Sequence, residues 1–107
     1  MYYIYIVRCE DDTLYTGIAA DIARRLRTHL RQTTACARYT RAHRVVSLEA
    51  LWETAEKGSA LRLEYHIKRL ARAQKMELLD HRICIPIEGD YRRFEDDALC
   101  EIFEKAL

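Results

Sequence analysis

The chain has 107 residues, half of them apolar, enough for one domain whose core needs no metal or disulfide to hold it together. Met1-Tyr2-Tyr3 lacks the basic and apolar regions of a secretion signal, and no apolar run approaches the ~20 residues needed to cross a bilayer, so no membrane association is expected. The cysteines, Cys9, Cys36, Cys84 and Cys100, are too scattered for a C-x-x-C zinc site or a disulfide framework, and a reducing, cytoplasmic setting is the expectation. The net charge of +1 hides an asymmetry: residues 1–75 carry 14 Lys/Arg against 8 Asp/Glu, whereas residues 76–107 carry 4 against 9. A basic body suits a phosphate-rich partner, while the acidic segment is either a solvated face or a competitor for the basic surface.

Tyr2 to Val7 is a run of aromatic and β-branched residues and predicts a strand. The polar cluster from Cys9 to Thr13 predicts a turn, and Leu14 to Ile18 a second strand, so the chain opens on a hairpin. Gly17 lies inside that second strand, where glycine marks a bulge or the close approach of another group. Asp21 reads as an N-cap for a helix with Ile22, Leu26 and Leu30 on its apolar stripe and Arg24, Arg25, Arg27 and Arg31 around it. Residues 32–44 are polar, lack periodicity and predict a loop; Val45 to Glu53 predicts a third strand. Lys57-Gly58-Ser59 predicts a turn with Ser59 as N-cap of a helix running to about Leu70, followed by a short helix from Ala71 to Leu79. Asp96 or Asp97 is expected to cap a last helix bearing Leu99, Ile102, Phe103 and Ala106. The order is ββαβαα with a C-terminal helical extension, an α+β arrangement around a small sheet.

Period-two alternation places Tyr3 and Tyr5 on one face of the first strand. Each tyrosine taken singly reads as ordinary strand packing. Arg25 and His29 share a helix face at i,i+4. Glu64 is a lone carboxylate among Arg62, Lys68 and Arg69, and by itself reads first as half of a surface Glu64–Lys68 pair. In the loop, Arg38 and Arg41 flank Tyr39, a grouping that suits backbone contact with base stacking, or simply covers the sheet edge.

Tyr3-Ile-Tyr5 and Tyr15-Thr-Gly17 resemble, in order and spacing, the two signatures that name the GIY-YIG nuclease superfamily. Asp21-Ile-Ala-Arg-Arg-Leu26 with His29, Ala37-Arg-Tyr-Thr-Arg41 and Ala60-Leu-Arg-Leu-Glu-Tyr-His-Ile-Lys68 are similar to the YhbQ-like (UPF0213) branch, related to the UvrC nuclease domain and to structure-specific endonucleases. The resemblance covers residues 1–80, and 81–107 extend beyond it as an acidic segment expected to pack on the same domain. It implies a small three-stranded antiparallel sheet flanked by helices, and a metal-dependent endonuclease acting on DNA in repair or recombination, with RNA left open.

By the same resemblance, Glu64 holds one divalent ion, Mg²⁺ or Mn²⁺, and Arg25 is the catalytic arginine. His29 acts near the scissile phosphate, and Tyr5 or Tyr15 is the general base or water-orienting group, helped by cations that lower its pKa. Arg24, Arg38, Tyr39, Arg41 and Lys68 are the expected nucleic-acid contacts. Two departures stand out: Ile18 takes the place of the lysine that follows the second signature in the UvrC-like branch, and Tyr3 replaces the first glycine. The alternative reading is a non-catalytic nucleic-acid-binding module, or an assembly subunit that dimerises or recruits a protein through 81–107.

Overall fold

A computed structural model describes residues 1–31 and 43–107. The elements follow as β1 (Tyr2–Cys9), β2 (Leu14–Ala19), α1 (Ile22–Arg31), β3 (Val45–Thr54), α2 (Lys57–Lys68), α3 (Arg72–Leu79), β4 (Arg92–Arg93) and α4 (Asp96–Ala106). Among the described residues the sheet has four strands in the order β2-β1-β3-β4, every pair antiparallel. The expected three strands are present, and β4 is the addition. It spans only two residues, opposite Trp52 and Glu53, too short to leave a periodic signal in sequence. Arg92 pairs with Glu53 at 2.6 Å, and the Phe94 amide donates to the Leu51 carbonyl at 2.9 Å.

β1 is an inner strand covered on both faces, which is why Ile4 to Val7 is a continuous apolar run with no exposed residue. On one face Tyr5, Val7, Cys9, Leu48 and Leu51 pack with Leu26 of α1 and Leu99 and Ala106 of α4. On the other, Ile4, Ile6, Ala50 and Trp52 pack with Ala60, Leu63 and Ile67 of α2 and Leu78 of α3. The segment after residue 80 thus supplies part of the first core. Among the described residues no helix is long and apolar enough to cross a membrane.

Helix boundaries follow local chemistry with two shifts. Asp21 caps α1 as its sequence suggests: its carboxylate accepts from the Arg24 amide at 3.1 Å. The expected turn at Lys57-Gly58-Ser59 is instead the first turn of α2, whose N-cap is Glu56, with no side-chain cap bond. The Ala60 amide already donates to the Glu56 carbonyl at 3.1 Å, and Gly58 has open space around it, so nothing prevents helix from starting early. The last helix has Glu95 at its N-cap, and Asp96 and Asp97 fall in the first turn. There their charges still favour the positive end of the helix dipole.

Candidate active site

The site begins with the register of the hairpin. Tyr5 is paired with Gly17, and Val7 with Tyr15, so Tyr5, Gly17 and Tyr15 share one face. With no side chain at Gly17, the Tyr5 ring lies across it: a Cβ there would fall on the phenol oxygen and stand 2.6 Å from Cζ. The β1–β2 pairing runs on without a slip, so Gly17 marks the close approach of a side chain, not a bulge.

α1 closes over the same face. The Tyr5 hydroxyl lies 2.8 Å from His29 Nε2, and Arg25 Nε donates to that oxygen at 3.3 Å. Arg25 Nε–H can only donate, so the Tyr5 oxygen accepts that bond; the bond to His29 Nε2 runs from the phenol when the imidazole proton is on Nδ1, and toward it when the proton is on Nε2. The His29 ring meets the rings of Tyr5 and Tyr15 edge-on, with centroids 5.6 and 5.8 Å away. Tyr5 and His29 are fully buried, whereas Tyr15 and Arg25 keep part of their surface. Burial pushes the Tyr5 phenol up to about 12. The Arg25 hydrogen bond and charge pull it down, and the charges of Tyr15 and Glu64 push it up further. The cation therefore acts in the expected direction, but desolvation outweighs it. Burial, and after it the charge of Arg25, hold His29 down at about 4, so its imidazole is neutral at pH 7.

α2 approaches from the opposite side of the sheet, at the edge strand β2. Lys68 Nζ stands 5.7 Å from the centre of the Tyr15 ring and 3.4 Å from the Glu64 carboxylate one turn earlier. The Glu64 side chain is about one-fifth exposed, and its charge reaches Tyr5. Residues from both faces thus meet at the edge strand β2. A recess of about 430 Å³ opens beside them, lined by Ile18, Asp21, Arg24, Arg25 and Thr28.

A GIY-YIG catalytic domain matches residues 1–77. The chain belongs to the GIY-YIG family. Its relatives place it in the YhbQ-like UPF0213 branch. It is 37% identical over 81 residues to UPF0213 protein SH2523 of Staphylococcus haemolyticus, covering 76% of this chain and 96% of that one. It is 40% identical over 81 residues to UPF0213 protein YhbQ of Salmonella typhimurium, covering 76% and 79%. To UPF0213 protein VNG_2274C of Halobacterium salinarum it is 40% identical over 78 residues, covering 73% and 99%. The solution NMR structure of UPF0213 protein BH0048 from Bacillus halodurans is 36% identical, covers 77% of this chain and 86% of that one, and superposes with a TM-score of 0.48.

Within this GIY-YIG domain, Tyr5, Tyr15, Arg25, His29, Glu64 and Lys68 are brought together. Arg24 stands on the exposed side of α1, at the rim of the recess. Arg38, Tyr39 and Arg41 lie outside the described residues. His29 is placed behind Tyr5, a position that spacing could not reveal, because i,i+4 says only that it shares a face with Arg25. Thr28 at the recess was missed by the sequence reading and carries no signal of its own. Among the described residues no three His, Cys, Asp or Glu side chains cluster as a metal cage. A single carboxylate flanked by cations does not suit Zn²⁺, but it fits a hard cation that completes its shell with water and phosphate oxygens.

Proposed function

We propose that this protein is a divalent-metal-dependent GIY-YIG endonuclease that hydrolyses phosphodiester bonds in DNA. The observation that carries the reading is the meeting of Arg25, Tyr15, Glu64 and Lys68 at the β2 edge, with Tyr5 and His29 locked behind them. Glu64 would hold the ion, which when bound supplies positive charge to the phosphate and the leaving oxygen.

The protein's own groups divide the remaining work. Arg25 binds the phosphate oxygens: its charge is permanent, and its fork matches their geometry. The Tyr5 oxygen anchors Nε of that arginine and so sets the direction in which the guanidinium points. His29 holds the Tyr5 oxygen in turn. Lys68 adds a second cation over Tyr15. Tyr15 is the phenol with exposed surface, so it orients the attacking water, and the enclosed Tyr5 is a positioning residue.

The test is cleavage of labelled linear, nicked, flapped, four-way-junction and single-stranded DNA, with an RNA arm, in Mg²⁺ or Mn²⁺. Wild type is expected to cut, and Glu64→Ala and Arg25→Ala to lose at least about a hundredfold, the scale of removing one group that stabilises transition-state charge. Identical behaviour of all three proteins would sink the enzyme reading and leave a binding module.

A further inference from the structure

α2 carries a second feature beside Glu64. Tyr65 is 56% exposed and Leu61, one turn earlier, 45% exposed, so together they form an apolar strip open to solvent. Tyrosine suits such a place, since it joins an apolar ring to a polar tip. This one is also held in place: Arg69 Nη1 donates to its hydroxyl at 2.6 Å, and the His66 ring meets it edge-on at 5.5 Å. The Arg69 guanidinium also lies over one side of the ring, its carbon 5.3 Å from the ring centre. The ring is therefore fixed in direction while much of its surface stays open.

The position decides what such a ring can meet. Glu64 and Tyr65 are consecutive on α2, so their side chains leave the helix about 100° apart and a ligand must span both directions. Lys68 follows Glu64 by four and Tyr65 by three, so it belongs to both stripes of the helix. Residues 61–72 carry Arg62, Lys68, Arg69 and Arg72 against the single acid Glu64. An apolar ring framed by cations is matched by a nucleotide, which presents a flat base beside a negative phosphate.

We infer that Tyr65, braced by Arg69, is a stacking platform for an unpaired base next to the phosphate handled by Glu64, Arg25 and Lys68. The inference rests on the nuclease reading and narrows its substrate class. In a duplex the bases are already stacked on each other and turned inward, so Tyr65 has no partner there. In single-stranded, frayed or flapped nucleic acid a base is available. The protein therefore favours substrates with unpaired nucleotides at the cut, and Tyr65 sets that preference.

The experiment is binding in EDTA, so that nothing is cut, of an oligonucleotide carrying 2-aminopurine, once as a single strand and once paired. Wild type, Tyr65→Phe and Tyr65→Ala are compared; the site is an exposed helix position where alanine is well tolerated. Wild type and Tyr65→Phe are expected to quench the single strand on stacking, and Tyr65→Ala to lose the quench and about tenfold in single-strand affinity, with duplex affinity unchanged. If Tyr65→Ala binds both forms as wild type does, or weakens both equally, the stacking inference is overturned while the nuclease reading stands. If it alters only self-association in sedimentation, the strip is a protein contact and the inference is again overturned. Failure of wild type to bind either form would overturn this inference, while the nuclease reading is judged by cleavage in Mg²⁺ or Mn²⁺.

Discussion

Tyr5 shows how one side chain can be shaped by its opposite number. Its ring occupies the space that any residue other than glycine at position 17 would fill, and its oxygen is shared by Arg25 and His29. Gly17→Ala is expected to push the ring away, costing roughly 1–3 kcal/mol as overpacked cores do, and to remove cleavage because Arg25 loses its anchor. Thermal unfolding and cleavage measured side by side check both parts. Tyr5→Phe keeps the ring but strips the bonds, leaving buried His29 Nε2 without this partner at a cost of about 1–3 kcal/mol. Its kcat is expected to fall while the folded structure persists.

His29 adds a pH dependence. Folded, its imidazole is held near 4; unfolded, it titrates at the ordinary 6.5. The unfolded chain therefore binds the extra proton between those values. Stability from this group is complete above about pH 6.5 and declines as pH falls toward 4, by on the order of 3 kcal/mol. Urea midpoints at pH 7 and 4.5 measure the decline, and a His29→Gln variant is expected to show less of it.

Among the elements, α4 supports the site from behind, through the core it shares with β1 and α1. Leu99 and Ala106 are buried against the same core as Tyr5 and Leu26, and Phe94 packs on Tyr3 with ring centres 6.3 Å apart. Leu99→Ala is expected to cost about 2–5 kcal/mol, seen as a lower melting temperature. Truncation after residue 80 removes α4 together with β4 and is expected to lower the melting temperature further and to weaken cleavage through the loosened support of α1. A truncated chain that melts and cuts like the whole would show residues 81–107 to be dispensable to the domain. α1 owes its start to Asp21, whose cap was readable from sequence because capping is a contact between residues three apart. β4 was not readable, because a two-residue ladder has no period and exists only where Trp52 and Glu53 offer their edge.

Across the whole molecule, the acidic helix α4 packs beside the basic helix α1, yet the acids of its block find their ion-pair partners close by in sequence. Among the described residues, ion pairs made by the acids of 76–107 are Asp96 with His81 and Glu101 with Lys105, both within the acidic segment itself. The basic helices α1 and α2 are thus not neutralised by those acids in the described ion pairs. Binding is expected to rest on few phosphate contacts, about three, which predicts duplex affinity falling roughly 40-fold between about 50 and about 200 mM salt. Titration at several salt concentrations gives the slope directly, and a flat response would count against the basic face.

The local chemistry of this protein was determined by its sequence alone. Period-two alternation put Tyr3 and Tyr5 on one face, a spacing of four paired Arg25 with His29 and Glu64 with Lys68, and the ordered signatures pointed to the GIY-YIG family. These are near-neighbour relations, set by backbone geometry whatever the rest of the chain does. The tertiary structure alone decided that Tyr5 lies across Gly17, that His29 stands behind it, and that Glu64 and Lys68 come over the β2 edge from the opposite face. Those relations depend on strand order and on the packing of segments up to sixty residues apart. The same burial that assembles them raises the Tyr5 phenol and lowers the His29 imidazole.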